Sequence, residues 1–147
     1  MSNKQNVFEQ NKNMTKENRK FSGLSLFAVY FVIWLVAVLY FWIFMDPGDG
    51  IGYSLLVFYL ALPLATFILS ILIGKHDIWG GYKWFSAIYF GVMFMLAEYM
   101  TSSLGNMLAY QKINMPMFEL FFIGAVISLI GLAIGTAIHV FQSKRNE

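Results

Sequence analysis

Long stretches of apolar residues follow one another along most of the chain. An α-helix needs about 20 such residues to cross about 30 Å of bilayer hydrocarbon. Four stretches meet that length, at residues 21–45, 51–74, 80–105 and 118–141. The first two hold no charged side chain, and Glu98 interrupts the third. The pattern therefore predicts four transmembrane helices, which we call spans 1 to 4.

Helices are the expected structure throughout. The alternation of apolar and polar residues that is typical of membrane strands does not recur at turn-separated intervals, so a β-barrel is not predicted. Inside lipid, backbone polar groups must be paired within the protein. We therefore predict an all-α, integral membrane four-helix bundle over residues 21–141. Residues 1–20 and 142–147 are polar tails, and the first is expected to be disordered because it has few apolar residues to bury.

The composition agrees with a membrane protein and removes several kinds of chemistry. Hydrophobic residues make up 59% of the 147 and charged residues 12%, whereas a soluble domain has roughly half and a quarter. The net charge of +2 is too small to favour a nucleic-acid partner. Cysteine is absent, which excludes disulfides and thiolate metal ligands.

Lysine and arginine are concentrated on one side of the predicted bundle. Nine of the ten lie in the N-terminal tail, in or next to the loop between spans 2 and 3, or after span 4, and Lys112 alone lies on the other side. Loops rich in positive residues stay in the cytoplasm. The distribution predicts a multi-pass protein of the cell membrane with both termini cytoplasmic. Asp46 and Asp49 would lie in a short outer hairpin.

Small residues form one side of span 4. They recur at intervals of four, three and four, at Gly124, Ser128, Gly131 and Gly135. Residues at these intervals share a helix face, and small faces allow close helix contact in lipid. We expect packing here, either on a neighbouring span or on a second copy. Span 1, crowded with large aromatic and aliphatic residues, is expected to be the most lipid-exposed.

Span 2 carries a comparable stripe. At α-helical spacing its members are Tyr59, Pro63, Thr66, Ser70 and Gly74. Proline lacks the N–H that would bond the carbonyl four residues back, so Pro63 is expected to kink the helix. Two interpretations stay open: a kink healed by a neighbouring helix, and a hinge or polar wall that faces a solute.

Glu98 is the intramembrane residue that stands out. Ionisable side chains inside a span are unfavourable and usually have a function. With Ser102 on its own span, and Tyr59 and Thr66 on span 2, it forms the candidate polar site. Glu98 would either couple the movement of an ion or proton, or hold two helices together through hydrogen bonds.

Motifs for other chemistry are not found. His76 and His139 lie in different segments, without the helical spacing of metal ligands. No Gly-x-Ser-x-Gly nucleophile motif occurs. We therefore assign no catalytic, cofactor-binding or metal-binding residue.

The first two spans resemble a group of known proteins. The residues that carry the resemblance are Asp46 through Gly52, Tyr53, Ser54, and Pro63 to Thr66, Ser70 and Gly74. They resemble small four-span membrane proteins of Gram-positive bacteria that have no assigned function, so the resemblance implies no activity. In span count and its intramembrane glutamate the chain is also similar to small multidrug exporters. Its glutamate lies in span 3 rather than span 1, so their site does not transfer.

Two classes of function remain open. The first is an accessory or regulatory partner of a larger membrane complex, which the small size, the lack of catalytic motifs and the polar tail favour. The second is an oligomeric, proton- or cation-coupled transporter of small solutes with Glu98 as the coupling carboxylate. The expected partners are the lipid bilayer and either a larger membrane complex or a second copy.

Overall fold

The computed structural model describes residues 2–45 and 50–145. Helices account for most of these residues, and none of them belongs to a strand. The α-helices are α1 (Ser2–Phe44), α2 (Gly50–Leu56), α3 (Leu62–Lys75), α4 (Ser86–Glu98), α5 (Leu104–Tyr110) and α6 (Phe118–Arg145). Two π-helical segments, Val57–Ala61 and Tyr99–Ser103, and a 3₁₀-helical segment, Gly80–Phe85, join some of them.

Four helical stretches are long and apolar enough to cross a membrane, which confirms the predicted all-α, multi-pass architecture. They are span 1 (Gly23–Phe44), span 2 (Gly52–Lys75), span 3 (Gly80–Tyr110) and span 4 (Phe118–Arg145). Span 3 continues past residue 105 to Tyr110, because no charge or proline interrupts it before Gln111 ends the helix with a positive φ of 52°. Asp46 and Asp49 lie outside the described residues.

Helix α1 extends far beyond span 1 on its N-terminal side. It is continuous from Ser2, whereas the sequence predicts a disordered tail over residues 1–20. The side chains described there, Glu9, Gln10 and residues 12–14, are exposed. Helical structure in this segment therefore depends on backbone hydrogen bonds and on continuity with span 1, which removes the cost of starting a new helix.

The spans form one bundle around a shared core. Span 4 packs against spans 2 and 3, and span 1 contacts the same two spans. The largest apolar side chains with 1% exposure or less are Tyr30, Leu62, Ile73, Ile78, Phe90, Phe94 and Leu132. Span 1 is the most exposed: 17% of its most apolar window is buried, against 50% in span 3. The low burial of span 1 agrees with the prediction that it is the most lipid-exposed span.

The spans begin at different heights along the bundle. The indole N–H of Trp34 donates to the carbonyl of Met93 at 2.8 Å, which places span 1 beside the middle of span 3. The first turn of span 4 lies at a similar height, where the backbone of Phe121 contacts Gly91. Helix α5 therefore projects beyond the start of span 4, and residues 111–117 lead back to it.

Candidate functional site

Glu98 is the buried carboxylic acid of span 3. It ends helix α4 and is 7% exposed. The hydroxyl of Ser103 lies 2.9 Å from its Oε1 and 3.2 Å from its Oε2. A buried carboxyl group needs partners within the protein, because burial removes the hydrogen bonds that water supplies. Ser103 meets this need from within the same span.

A π-helical turn selects Ser103 as the partner. The backbone is π-helical from Tyr99 to Ser103, and a π-helix bonds residues five apart, whereas an α-helix bonds residues four apart. Ser102, which α-helical spacing groups with Glu98, is half-buried. The predicted pairing of Glu98 with Ser102 is not the one observed, because the wider turn brings Ser103 to the carboxyl group in place of Ser102.

The other π-helical segment, Val57–Ala61, ends two residues before Pro63. In it the N–H of Leu62 donates to the carbonyl of Val57, five residues back. Insertions of this kind are a common cause of helix bends, as proline is. Span 2 thus accommodates its proline by widening the preceding turn.

The same turn divides the predicted stripe of span 2. Tyr59 is 77% exposed, whereas Thr66, Ser70 and Gly74 are buried. Counting at 3.6 residues per turn fails across a π-helical turn, because each extra residue rotates everything before it around the helix axis. Contrary to the prediction, Tyr59 and Thr66 therefore lie on different faces of span 2.

Thr66 and Glu98 lie at different heights. Thr66 donates to the hydroxyl of Tyr30 at 3.1 Å, whereas Met100, just after Glu98, accepts from the indole of Trp42 at 2.9 Å. Residues 30 and 42 of helix α1 are about 18 Å apart along its axis. The structure therefore does not bring the four residues of the predicted polar site together.

The polar residues of span 2 bond to neighbouring spans of the same chain. Ser70 donates to the hydroxyl of Ser128 on span 4 at 2.8 Å, and both side chains are fully buried. Tyr53 donates to the carbonyl of Ala37 on span 1 at 2.9 Å. In lipid an unpaired polar group costs several kcal/mol, so these bonds fix which faces of the spans meet.

Sequence reasoning misses the indole donors that join spans 1 and 3. Trp34 lies in an uninterrupted apolar run, and this pattern indicates a lipid-facing or core residue. A buried indole N–H usually finds a partner, and that rule is the available signal. The partners of Trp34 and Trp42 are backbone carbonyls, which any residue type supplies, so no sequence pattern identifies them.

The small face of span 4 receives the backbones of its neighbours. A Cβ atom added at Gly131 would lie 2.8 Å from the carbonyl oxygen of Phe67, and one at Gly135 would overlap that of Ile71. A Cβ at Gly124 would lie 3.2 Å from the Cα of Gly91 on span 3. All four predicted packing residues are buried, and these contacts are within the chain.

The loop between spans 2 and 3 closes one end of the bundle. Asp77 and Trp79 adopt left-handed conformations, with φ of 45° and 64°, and Ile78 between them is 1% exposed. Gly23 at the start of span 1 lies directly against Ile78 and Trp79. Lys83 forms an ion pair with Asp77 at 2.8 Å, and its side chain is 8% exposed.

The fold and its buried contacts define a four-span α-helical membrane protein. Comparisons with models of known protein families, with curated proteins and with solved structures give no match. In the part of the chain that the structure describes, no three His, Cys, Asp or Glu side chains are grouped as metal ligands.

Proposed function

We propose that this protein is an accessory or regulatory partner of a larger membrane complex and has no catalytic activity of its own. The proposal rests on the hydrogen bonds that the intramembrane polar side chains form. Tyr53, Thr66 and Ser70 all bond to neighbouring spans of the same chain. A solute path needs polar groups that are open to the solute, whereas these groups hold the bundle together.

The outward face of span 1 is the surface on which we place the partner. Val32, Val36 and Ile43 share that face and are 58%, 60% and 67% exposed. Helix α1 continues from span 1 through residues 2–20, a polar arm of about 28 Å at 1.5 Å per residue. A transmembrane helix of the partner that packs on span 1 would therefore also bring its soluble part within reach of the arm.

We further propose that the protein lies in the plasma membrane with both termini in the cytoplasm, because nine of its ten lysines and arginines lie on that side. Single cysteines can test this orientation, since the chain has none of its own. In intact cells, Ile113→Cys should react with an impermeant thiol reagent, because Ile113 is 94% exposed. Gly81→Cys and Ser143→Cys should react after permeabilisation only; labelling of either from outside would reverse the topology.

Photo-cross-linking tests the partner proposal. A photoreactive amino acid at Val36 should cross-link to another membrane protein in cells, whereas one at Val126 on span 4, which is 52% exposed, should not. The double variant Val32→Trp and Val36→Trp should reduce recovery of that protein, purified with the full chain in mild detergent, at least about tenfold. Val126→Trp and Ile130→Trp, which place the same bulk on span 4, should leave recovery unchanged. Equal cross-linking from both spans would refute docking on span 1.

A second candidate function rests on Glu98. It is a buried acid beside a π-helical turn, and such turns are frequent at functional sites. In proteoliposomes with an imposed pH gradient, the accessory role predicts equal proton movement for wild type and Glu98→Gln. Glutamine keeps an acceptor for Ser103 and removes titration. Proton movement that Glu98→Gln abolishes would instead establish the coupling role and overturn the accessory proposal.

A further inference from the structure

A groove of about 390 Å³ opens where spans 1 and 3 meet the loop that precedes span 3. It is lined by Phe27, Trp79, Tyr82, Phe85, Ser86 and Tyr89. We call it the aromatic groove, because five of these six residues are aromatic. Its volume falls within the range of small-molecule sites, about 300–1,000 Å³.

The 3₁₀-helical start of span 3 builds one wall of the groove. In a 3₁₀-helix, residues three apart lie one above the other, and Tyr82 and Phe85 have this spacing. Their rings are stacked with centroids 6.3 Å apart. An α-helix would offset these two residues by about 60° around its axis, so the 3₁₀ backbone aligns the two rings more closely.

Span 1 and the loop build the other wall. Trp79, held in a left-handed conformation, stacks on Phe27 with ring centroids 5.3 Å apart and planes at 11°. Tyr89 meets the ring of Phe27 edge-on at 4.6 Å. The groove therefore joins two stacked pairs and one further ring, drawn from spans 1 and 3 and from the loop.

The side-chain polar groups of Ser86 and Lys83 at the groove are already occupied. The hydroxyl of Ser86 donates to the carbonyl of Lys83 at 2.6 Å. The ammonium group of Lys83 is paired with Asp77, so its positive charge is balanced. Aromatic rings attract cations through their negative faces, but the hydroxyls of Tyr82 and Tyr89 are the remaining side-chain acceptors that this lining offers to N–H donors. A primary ammonium group would leave three donors to satisfy, whereas a quaternary ammonium group has none.

We propose that the aromatic groove binds the quaternary ammonium group of an amphiphile. It lies at the end of spans 1 and 3, where aromatic side chains meet lipid headgroups, so the alkyl chain of the ligand extends into the adjacent lipid. The ligand is either the choline headgroup of a membrane lipid or a free cationic amphiphile. This inference is independent of the accessory role, because the groove and the outward face of span 1 are separate surfaces.

Three probes with the same alkyl chain test the proposal on the full chain in nanodiscs of phosphatidylethanolamine and phosphatidylglycerol. Titrations followed by tryptophan fluorescence should show dodecyltrimethylammonium binding at least about tenfold more tightly than dodecylammonium or dodecanol. The double variant Tyr82→Leu and Phe85→Leu keeps apolar bulk and removes two rings. It should weaken trimethylammonium binding at least about tenfold, as expected for two cation–π contacts.

The control pair is Tyr110→Leu and Phe122→Leu, which removes two exposed rings elsewhere and should leave binding unchanged. Tyr82 and Phe85 are themselves 75% and 65% exposed, so their replacement should preserve the fold, which circular dichroism checks. Phosphatidylcholine added to the nanodiscs should displace the probe if the ligand is a lipid headgroup; without displacement, a free amphiphile is the ligand. Equal binding of dodecanol and dodecyltrimethylammonium, or unchanged binding in the groove variant, would overturn the proposal.

Discussion

Replacement of Gly131 and Gly135 by leucine should lower the free energy of unfolding by about 3 kcal/mol or more, because overpacking typically costs 1–3 kcal/mol at a single site. At both positions the atom that a new Cβ would meet is a backbone carbonyl oxygen of span 2, in Phe67 and Ile71. Backbone atoms cannot move aside as a side chain can, so the two spans must separate. Lipid does not restore the lost contacts, since close approach across small residues drives association in a membrane. Unfolding by a denaturing detergent, followed by circular dichroism, measures the change.

Two other glycines provide a matched control for that experiment. A Cβ at Gly52 or Gly81 would meet nothing within 4 Å, so Gly52→Leu with Gly81→Leu adds the same side chains in open positions. This control should stay close to wild type in stability. If the two double variants unfold alike, the small face of span 4 is not a close helix contact. The oligomeric state should be unchanged in both, because the contacts of Gly131 and Gly135 are within one chain.

Phe90→Ala should destabilise the bundle by about 3–5 kcal/mol, the usual cost of removing a fully buried phenylalanine. Phe90 is 0% exposed. Its ring contacts Tyr30, Phe27 and Tyr89, with centroids 4.7, 5.6 and 5.5 Å away. Alanine would leave a cavity among these rings and remove their edge and stacking contacts. The same detergent unfolding measurement applies.

Phe122→Ala is the control for Phe90→Ala. Phe122 is 64% exposed on span 4, so alanine there exchanges a contact with lipid and leaves no internal cavity. Its effect should be at least about 2 kcal/mol smaller, since the cavity contribution is absent. Effects of equal size would mean that Phe90 does not occupy the centre of the bundle. The sequence alone does not distinguish these two phenylalanines, because each stands in an apolar run.

The proposals for function place distinct roles on separate surfaces. Span 1 presents its apolar face outward, while the buried polar bonds of spans 1, 2 and 4 lie inside the bundle. The aromatic groove lies at the end closed by the loop with Ile78. Glu98 lies elsewhere in span 3, near the height of Trp42. Variants at one of these surfaces should therefore report on that surface alone, since distant sites act independently.

The class of protein and the approximate positions of its spans follow from the amino-acid sequence alone. Long apolar runs dictate helices in lipid, because the bilayer offers the backbone no other hydrogen-bond partners. The spacing of Gly124, Ser128, Gly131 and Gly135 also placed these residues on one helix face, since that part of span 4 is a regular α-helix. These features are local and follow from length, hydropathy and a constant helical period.

Which side chains and backbone groups contact one another depends on the folded structure. The π-helical turns changed the period, so that Ser103 rather than Ser102 bonds Glu98, and Tyr59 faces outward. Whether the small face of span 4 packs within the chain depended on contacts with spans 2 and 3, which are distant in sequence. The indole of Trp34 bonds a backbone carbonyl, a group common to every residue. Such pairings depend on the height and rotation of whole helices, and these are set by packing across the bundle rather than by any one segment.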